Sequence, residues 1–133
     1  IKVAALSGVD VRLLIPQKPD KWFVWHASRS YFPDLFEVGV RIYQYERGFM
    51  HSKIVIVDNE LASIGTANMD LRSFHLNFEV NAFLYETESI QKLVNDYLED
   101  LKYSNLLSTE KFSKRHFGNR ILESTCRLLS PML

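Results

Sequence analysis

The sequence is short of the features that mark several large classes of protein. It has a single cysteine, Cys126, which excludes an intramolecular disulfide and a zinc site built from cysteines. Neither sign of charge is in excess, because 16 Lys and Arg residues balance 16 Asp and Glu residues, so no overall field draws the chain to nucleic acid or to an anionic membrane. No apolar run approaches the roughly 20 residues that cross a bilayer. We therefore expect that this stretch does not span a membrane.

The composition is nevertheless that of a folded domain. Hydrophobic residues make up 47% of the 133 positions and aromatic residues 13%, which is enough to bury a core in one domain. The opening IKVAALSG has no initiator methionine and is typical of the last turns of a helix that ends at Gly8. These two features predict that the chain is a fragment of a longer protein.

Strand and helix patterns alternate along the chain. Apolar or alternating runs predict strands in VDVRLLIP (9–16), VRIYQY (40–45), FMHSKIVIVD (49–58), LASIG (61–65) and FEVNAFLY (78–85). Helical spacing predicts two helical pieces within 21–38, divided at Pro33, and a helix that Thr87 caps. The turn ERG favours a hairpin, or at least adjacent strands, between 40–45 and 49–58. The fold class predicted is α/β, a mixed central β-sheet flanked by α-helices.

The tail from about residue 106 is basic and amphipathic. Its basic residues Lys111, Lys114, Arg115, Arg120 and Arg127 outnumber Glu110 and Glu123 by three. Helical spacing there places Ile121, Leu122, Cys126, Leu129 and Leu133 on one face, with Pro131 near the end. Such a tail can lie on an anionic bilayer or dock on its own sheet. The pattern leaves both interpretations open.

The stretch HSKIVIVDNELASIGTAN, residues 51–68, contains several polar side chains of the kinds that catalyse reactions or bind ligands. On an extended strand His51 and Lys53 project to the same side, so a base and a cation converge. Asp58 suits a turn, where its carboxylate binds local N–H groups. Thr66 and Asn68 follow Gly65 and offer a hydroxyl and an amide. Such donors beside an ammonium and an imidazole suit a tetrahedral phosphate.

This spacing resembles the HKD motif of the phospholipase D superfamily, with Thr66 in place of the usual serine. The continuation MDLRSFHLNFEVNAFLYE, the upstream IPQKPDKWFV, SRSYF and YQYERGFMHSK, and the terminal RLLSPML are similar to the C-terminal half of bacterial cardiolipin synthases. The resemblance covers nearly the whole chain. It implies that residues 1–133 form one phospholipase D-like lobe that carries one HKD motif.

The resemblance also implies an activity. Enzymes of this superfamily displace a phosphodiester in two steps through a phosphohistidine, and a cardiolipin synthase passes the phosphatidyl group from one phosphatidylglycerol to another, which releases glycerol. Lys53, Thr66 and Asn68 are then expected to bind the phosphate, His51 to act as general acid and base, and Glu79 to orient His51 through its other ring nitrogen. Asp58 completes the motif. The resemblance implies no metal and no other cofactor.

Only one such motif is present, whereas the superfamily uses two that face each other. The second must come from an N-terminal half of the same protein or from a homodimer mate, so the isolated fragment is expected to be inactive. The other expected partners are phosphatidylglycerol and an anionic membrane surface, with attachment to the bacterial cell membrane through regions outside this chain. Three alternatives stay open: a hydrolytic phospholipase D, a dimeric phosphodiesterase or nuclease, and a catalytically silent lobe for dimerisation or membrane attachment. Neutral net charge disfavours nucleic acid as a partner.

Overall fold

The computed structural model describes residues 1–18 and 21–128. Helices and strands alternate, as the predicted α/β class requires. Seven helices lie in the described residues: α1 Lys2–Leu6, α2 Trp22–Arg29, α3 Phe32–Glu37, α4 Leu71–His75, α5 Glu88–Lys102, α6 Thr109–Ser113 and α7 Phe117–Leu128. Six strands lie there too: β1 Arg12–Pro16, β2 Arg41–Tyr45, β3 Ile54–Val57, β4 Leu61–Gly65, β5 Asn81–Tyr85 and β6 Ser104–Leu106.

The first sheet, in the order β1-β2-β6, contains the main apolar core. β1 pairs parallel with β2, and β2 pairs antiparallel with β6, so this sheet is mixed. Ile42 of β2 is fully buried and packs with Phe32, Val40 and Phe112. Burying side chains of this size typically contributes about 1.5–3 kcal/mol each. The first sheet is therefore the scaffold of the chain.

The second sheet, in the order β3-β4-β5, is antiparallel and covered on one side only. Ile56, Ala62 and Leu84 lie opposite one another across the three strands, and Ala62 is fully buried. The other side carries Phe83 and Tyr85, which are 72% and 64% exposed. A strand period of two explains how one short sheet has a packed face and an open apolar face.

Helix α5 connects the two sheets. It contacts β3 and β5 of the second sheet and β2 and β6 of the first. Its apolar positions recur at helical spacing, and Ile90 among them is fully buried. The helix predicted after Thr87 is thus confirmed, although the described residues provide no capping partner for the Thr87 hydroxyl.

The aromatic segment 21–38 forms two helices, as predicted, but the break lies elsewhere. α2 ends at Arg29, and the chain turns at Ser30 and Tyr31. Pro33 lies in the first turn of α3. Proline is tolerated at that position because the first N–H groups of a helix lack an intrahelical acceptor.

The basic tail docks on the rest of the chain through α7, which packs against α2. The buried Glu123 receives Arg29 Nε at 3.1 Å and Arg115 Nε at 2.8 Å. Cys126, three residues further along the same helix face, is also buried, whereas Ile121 is 52% exposed and Leu122 36% exposed. The predicted apolar face was therefore wrong for Ile121 and Leu122, because the paired carboxylate of Glu123 occupies the buried side instead. The predictions for Leu129, Pro131 and Leu133 lie outside the described residues.

Three further sequence predictions need correction. The strand expected at 49–58 begins only at Ile54, and the strand expected at 78–85 begins only at Asn81. β2 and β3 belong to different sheets and form no hairpin with each other. Within the described residues, none of the helices combines the length and apolarity needed to cross a bilayer.

Candidate functional site

His51 and Lys53 lie in the segment that leads into β3, not in the strand itself. The Lys53 carbonyl accepts a hydrogen bond from Gly65 N at 3.2 Å, which ties this segment to the end of β4. The Lys53 ammonium turns back and donates to the His51 carbonyl at 3.1 Å. His51 is exposed, and its ring stacks on that of Phe49, with 5.8 Å between centroids and 14° between planes. The two motif residues therefore stand at the edge of the second sheet.

Gly65 and Thr66 bring the end of β4 against the chain just before β5. A Cβ atom at Gly65 would overlap the Val80 carbonyl oxygen and the Asn81 side-chain oxygen. The close approach explains the glycine, and it requires no left-handed backbone. Thr66 N donates to Val80 O at 3.0 Å, and Val80 N donates to Thr66 Oγ1 at 2.9 Å.

Glu79 points its carboxylate into this same corner. It accepts hydrogen bonds from Ser73 Oγ at 3.0 Å and from Asn77 Nδ2 at 3.1 Å. Hydrogen bonds from Thr66, Asn77 and Ser73, together with the nearby charge of Lys53, lower the pKa of Glu79 below its usual value. The carboxylate is therefore held ionised, close to Lys53 and Thr66.

Asn68 is exposed, and its backbone is fixed by residues that lie outside the HKD motif. Asn68 N donates to Ser73 Oγ at 3.1 Å, and Ala67 N donates to Asn81 Oδ1 at 3.2 Å. Ser73 is buried and lies in α4, whose N-cap is Asp70. The spacing D-x-x-S just after Asn68 was a readable signal, because an aspartate there predicts a capped helix.

Asp58 is not part of this cluster. It lies in the turn that joins β3 to β4 and adopts a φ of 50°, next to Asn59 at 60°. Five residues of extended chain place it about 16 Å from Lys53. Left-handed backbone is tolerated best by Asp, Asn and Gly among common residues, so Asp58 fits its turn.

The structure thus gathers Lys53, Thr66, Asn68 and Glu79 around one end of the second sheet, with His51 alongside. The family model described as "Cardiolipin synthase, PLD-like domain" matches residues 1–101, a span that includes all of them. The chain belongs to this family. The resemblance inferred from the HKD spacing is confirmed.

Relatives match the whole chain. It is 65% identical to a cardiolipin synthase of Halalkalibacterium halodurans and 67% identical to cardiolipin synthase 2 of Bacillus cereus, in each case over all 133 residues. A cardiolipin synthase of Listeria monocytogenes is 53% identical over the same length. The chain spans only 26% to 28% of the length of these proteins.

A solved structure supports the fold. The phosphatidylserine synthase of Haemophilus influenzae superposes with a TM-score of 0.68 over 98% of this chain and 37% of that one. Its sequence identity is 14%, so this likeness concerns the fold alone. The phospholipase D-like fold expected from the motif is therefore confirmed.

Proposed function

We propose that this chain is a catalytic lobe of a cardiolipin synthase, which transfers a phosphatidyl group between two phosphatidylglycerol molecules and releases glycerol. One observation carries the proposal: Lys53, Thr66, Glu79 and the Asn68 backbone converge beside His51 at one end of the second sheet. In this proposal, residues 1–133 form a single lobe that carries one HKD motif. The similarity to named cardiolipin synthases supports the choice of substrate.

In the first step, a histidine nitrogen attacks the phosphorus and the glycerol oxygen departs with a proton from the second histidine. In the second step, that histidine deprotonates the glycerol hydroxyl of another phosphatidylglycerol, which attacks the phosphohistidine. Covalent catalysis divides one difficult displacement into two easier ones. The organic chemistry requires no metal or other cofactor.

Lys53 and Asn68 are the proposed ligands of the non-bridging oxygens. Negative charge on these oxygens grows in the transition state, so fixed donors there lower the barrier. Thr66 belongs to the same proposed phosphate-binding set, and its hydroxyl oxygen accepts a hydrogen bond from Val80 N at 2.9 Å. Asp58 completes the motif in the sequence, and its position in the β3–β4 turn favours a structural role.

His51 is proposed as the general acid and base, with Glu79 as its orienting partner. Glu79 is ionised and lies near Lys53, whose ammonium donates to the His51 carbonyl. A carboxylate that bonds one imidazole nitrogen fixes the tautomer and stabilises the charged ring. That bond would form once substrate or the second half of the site orders the exposed His51 ring.

The nucleophile is proposed to come from a second HKD motif, in an N-terminal half of the same protein or in a homodimer mate. The exposure of His51 agrees with a site that another unit completes. The isolated chain should accordingly be inactive. The anionic bilayer that contains phosphatidylglycerol is the second proposed partner, and we propose attachment to the bacterial cell membrane through regions outside this chain.

Product analysis of the full-length protein, meaning this chain with the remainder that its relatives possess, tests the proposal. Labelled phosphatidylglycerol should yield cardiolipin and free glycerol in equal amounts, and His51→Ala should abolish both. Phosphatidic acid as the sole lipid product would establish hydrolysis instead. Full activity of His51→Ala would end the assignment.

A further inference from the structure

Four successive amides between β4 and α4 each have a hydrogen-bond acceptor, and every acceptor belongs to a different residue. Gly65, Thr66, Ala67 and Asn68 donate, in that order, to the Lys53 carbonyl at 3.2 Å, the Val80 carbonyl at 3.0 Å, Asn81 Oδ1 at 3.2 Å and Ser73 Oγ at 3.1 Å. The first two acceptors are backbone groups and the last two are side chains. The change occurs between Thr66 and Ala67, just beyond the end of β4 at Gly65.

The side chain of Asn81 accepts the first N–H group, that of Ala67, for which the backbone of the neighbouring strand provides no acceptor. Asn81 is the first residue of β5 and lies opposite Gly65. Its side-chain amide also donates to Ser63 Oγ at 3.1 Å, so both ends of the amide group are fixed. A rigid acceptor of this kind determines where the Ala67 N–H must lie.

Ser73 joins two parts of the candidate site through one hydroxyl. The oxygen accepts the Asn68 N–H, and the same hydroxyl donates to Glu79 Oε1 at 3.0 Å. A hydroxyl has one proton and two lone pairs, so both bonds can exist together. Ser73 is itself fixed, because its N–H donates to Asp70 Oδ1 at 2.7 Å and its side chain is buried.

We propose that Ser73 and Asn81 are positioning residues that hold Asn68 and Glu79 in register with Lys53 during phosphatidyl transfer. This inference rests on the proposed function. Because these backbone amides already have acceptors inside the chain, the phosphate oxygens must be held by side chains such as those of Lys53 and Asn68. The accuracy of those side chains then depends on the loop that Ser73 and Asn81 fix.

The radical variants are Ser73→Ala, which removes the shared hydroxyl, and Asn81→Leu, which keeps the number and branching of the side-chain heavy atoms and removes both hydrogen bonds. In the full-length protein acting on phosphatidylglycerol in detergent micelles, each should lower kcat by about 10- to 100-fold, since a small misplacement of catalytic groups has effects of that order. KM should stay within about threefold, because a positioning role acts on the transition state and not on ground-state binding.

Conservative and remote variants separate positioning from stability. Ser73→Thr keeps the hydroxyl, and Asn81→Asp keeps an acceptor for the Ala67 N–H, so both should recover most of kcat. Ser89→Ala and Asn95→Leu make the same radical changes at exposed positions of α5 and should leave kcat unchanged. Thermal unfolding of every variant shows whether a loss of kcat merely follows a loss of fold.

The possible results are distinct. Reduced kcat in the radical pair with recovery in the conservative pair supports the inference. If the wild-type protein makes cardiolipin and the Ser73→Ala and Asn81→Leu variants have the same kcat as the wild type, the inference is overturned and the proposed function is not. A rise in the KM of these variants with kcat unchanged has the same meaning. A wild-type protein without phosphatidyl transfer overturns the proposed function and this inference with it.

Discussion

The two sheets of this chain differ in what holds them. Around β2 the first sheet buries Ile42 completely among aromatic side chains, and helices cover it. The second sheet leaves Phe83 72% exposed on its open face, and the end that carries the candidate site is organised by backbone N–H groups that donate to the side chains of Ser73 and Asn81. Apolar burial gives the first sheet its stability, whereas directional polar contacts give the second sheet its geometry. Substitutions in the first should therefore affect folding, and substitutions at the polar end of the second should affect catalysis.

The largest effect is expected at Lys53, in the segment that leads into the second sheet. Lys53→Met removes a charge from the proposed phosphate site and should lower the turnover of the full-length protein by about 10²- to 10³-fold. The matched control is Lys102→Met, which removes an exposed lysine that pairs with Glu99 and should change turnover by less than about twofold. Equal losses in the two variants would contradict the phosphate-binding role.

In the first sheet, Ile42→Ala should reduce the free energy of unfolding by about 2–5 kcal/mol, because it leaves a cavity in a fully buried site. Phe83→Ala removes a larger side chain from the open face of the second sheet and should cost only about 0.5 kcal/mol. Denaturant unfolding followed by circular dichroism measures both. If Phe83→Ala were the more costly change, something in the protein would have to cover that face.

Gly65 combines the two roles, because it is a close-packed residue at the end of the second sheet that carries the candidate site. Gly65→Ala places a methyl group against Val80 and Asn81 and should destabilise the protein by about 1–3 kcal/mol, with a loss of turnover at temperatures where the protein is still folded. Gly48→Ala is the control, because a Cβ atom there meets nothing within 4 Å. Thermal unfolding and turnover measured together decide whether the two losses coincide.

The smallest effect concerns Asp10, at the edge of the first sheet. Arg12 and Arg41 lie opposite each other in β1 and β2, and hydrogen bonds from both lower the pKa of Asp10 to about 2. A lowered pKa means that the stabilisation exists above the usual pKa near 3.8 and is lost as the pH falls toward 2.

Asp10→Asn should therefore lower the melting temperature slightly at neutral pH and flatten its decline between these pH values. Because Asp10 is exposed, about 1 M salt should reduce the difference from wild type. A difference that salt leaves unchanged, or that grows as the pH falls, would be incompatible with this account of Asp10.

Much of the fold was predictable because it depends on local periodicity. The helix after Thr87 and the strand LASIG follow from spacing alone, and both are present. The strands were predicted to start at residues 49 and 78, which is too early. The alternation of apolar residues begins before the residues that form hydrogen-bonded pairs with a neighbouring strand. The pairing of β2 outside the sheet of β3 depends on contacts between distant segments, which a single sequence pattern does not encode.

The sequence predicts which residues belong to the candidate site, and it does not predict the contacts that support them. The HKD spacing identifies His51, Lys53 and Asn68, and the structure places them with Glu79 at one end of the second sheet. Ser73 accepts a hydrogen bond from Asn68, five residues earlier, and Asn81 accepts one from Ala67, fourteen residues earlier. A serine in a short helix and an asparagine at the start of a strand are common. The sequence therefore does not indicate the hydrogen-bond partner of either residue.

If His51 takes part in phosphatidyl transfer through a phosphohistidine, that intermediate can be trapped on the protein. The full-length protein, mixed briefly with phosphatidylglycerol labelled at phosphorus and quenched in alkali, should carry label on a histidine, with the acid lability of that linkage. His51→Ala should turn over no substrate. With His51 as the general acid and base, this variant lacks the group that assists both steps. The intact partner histidine should then either keep the label, because the second step is blocked, or never receive it, because the first step is blocked. A wild-type protein that makes cardiolipin without any covalent label, or a His51→Ala variant that turns over at the wild-type rate, would contradict the account.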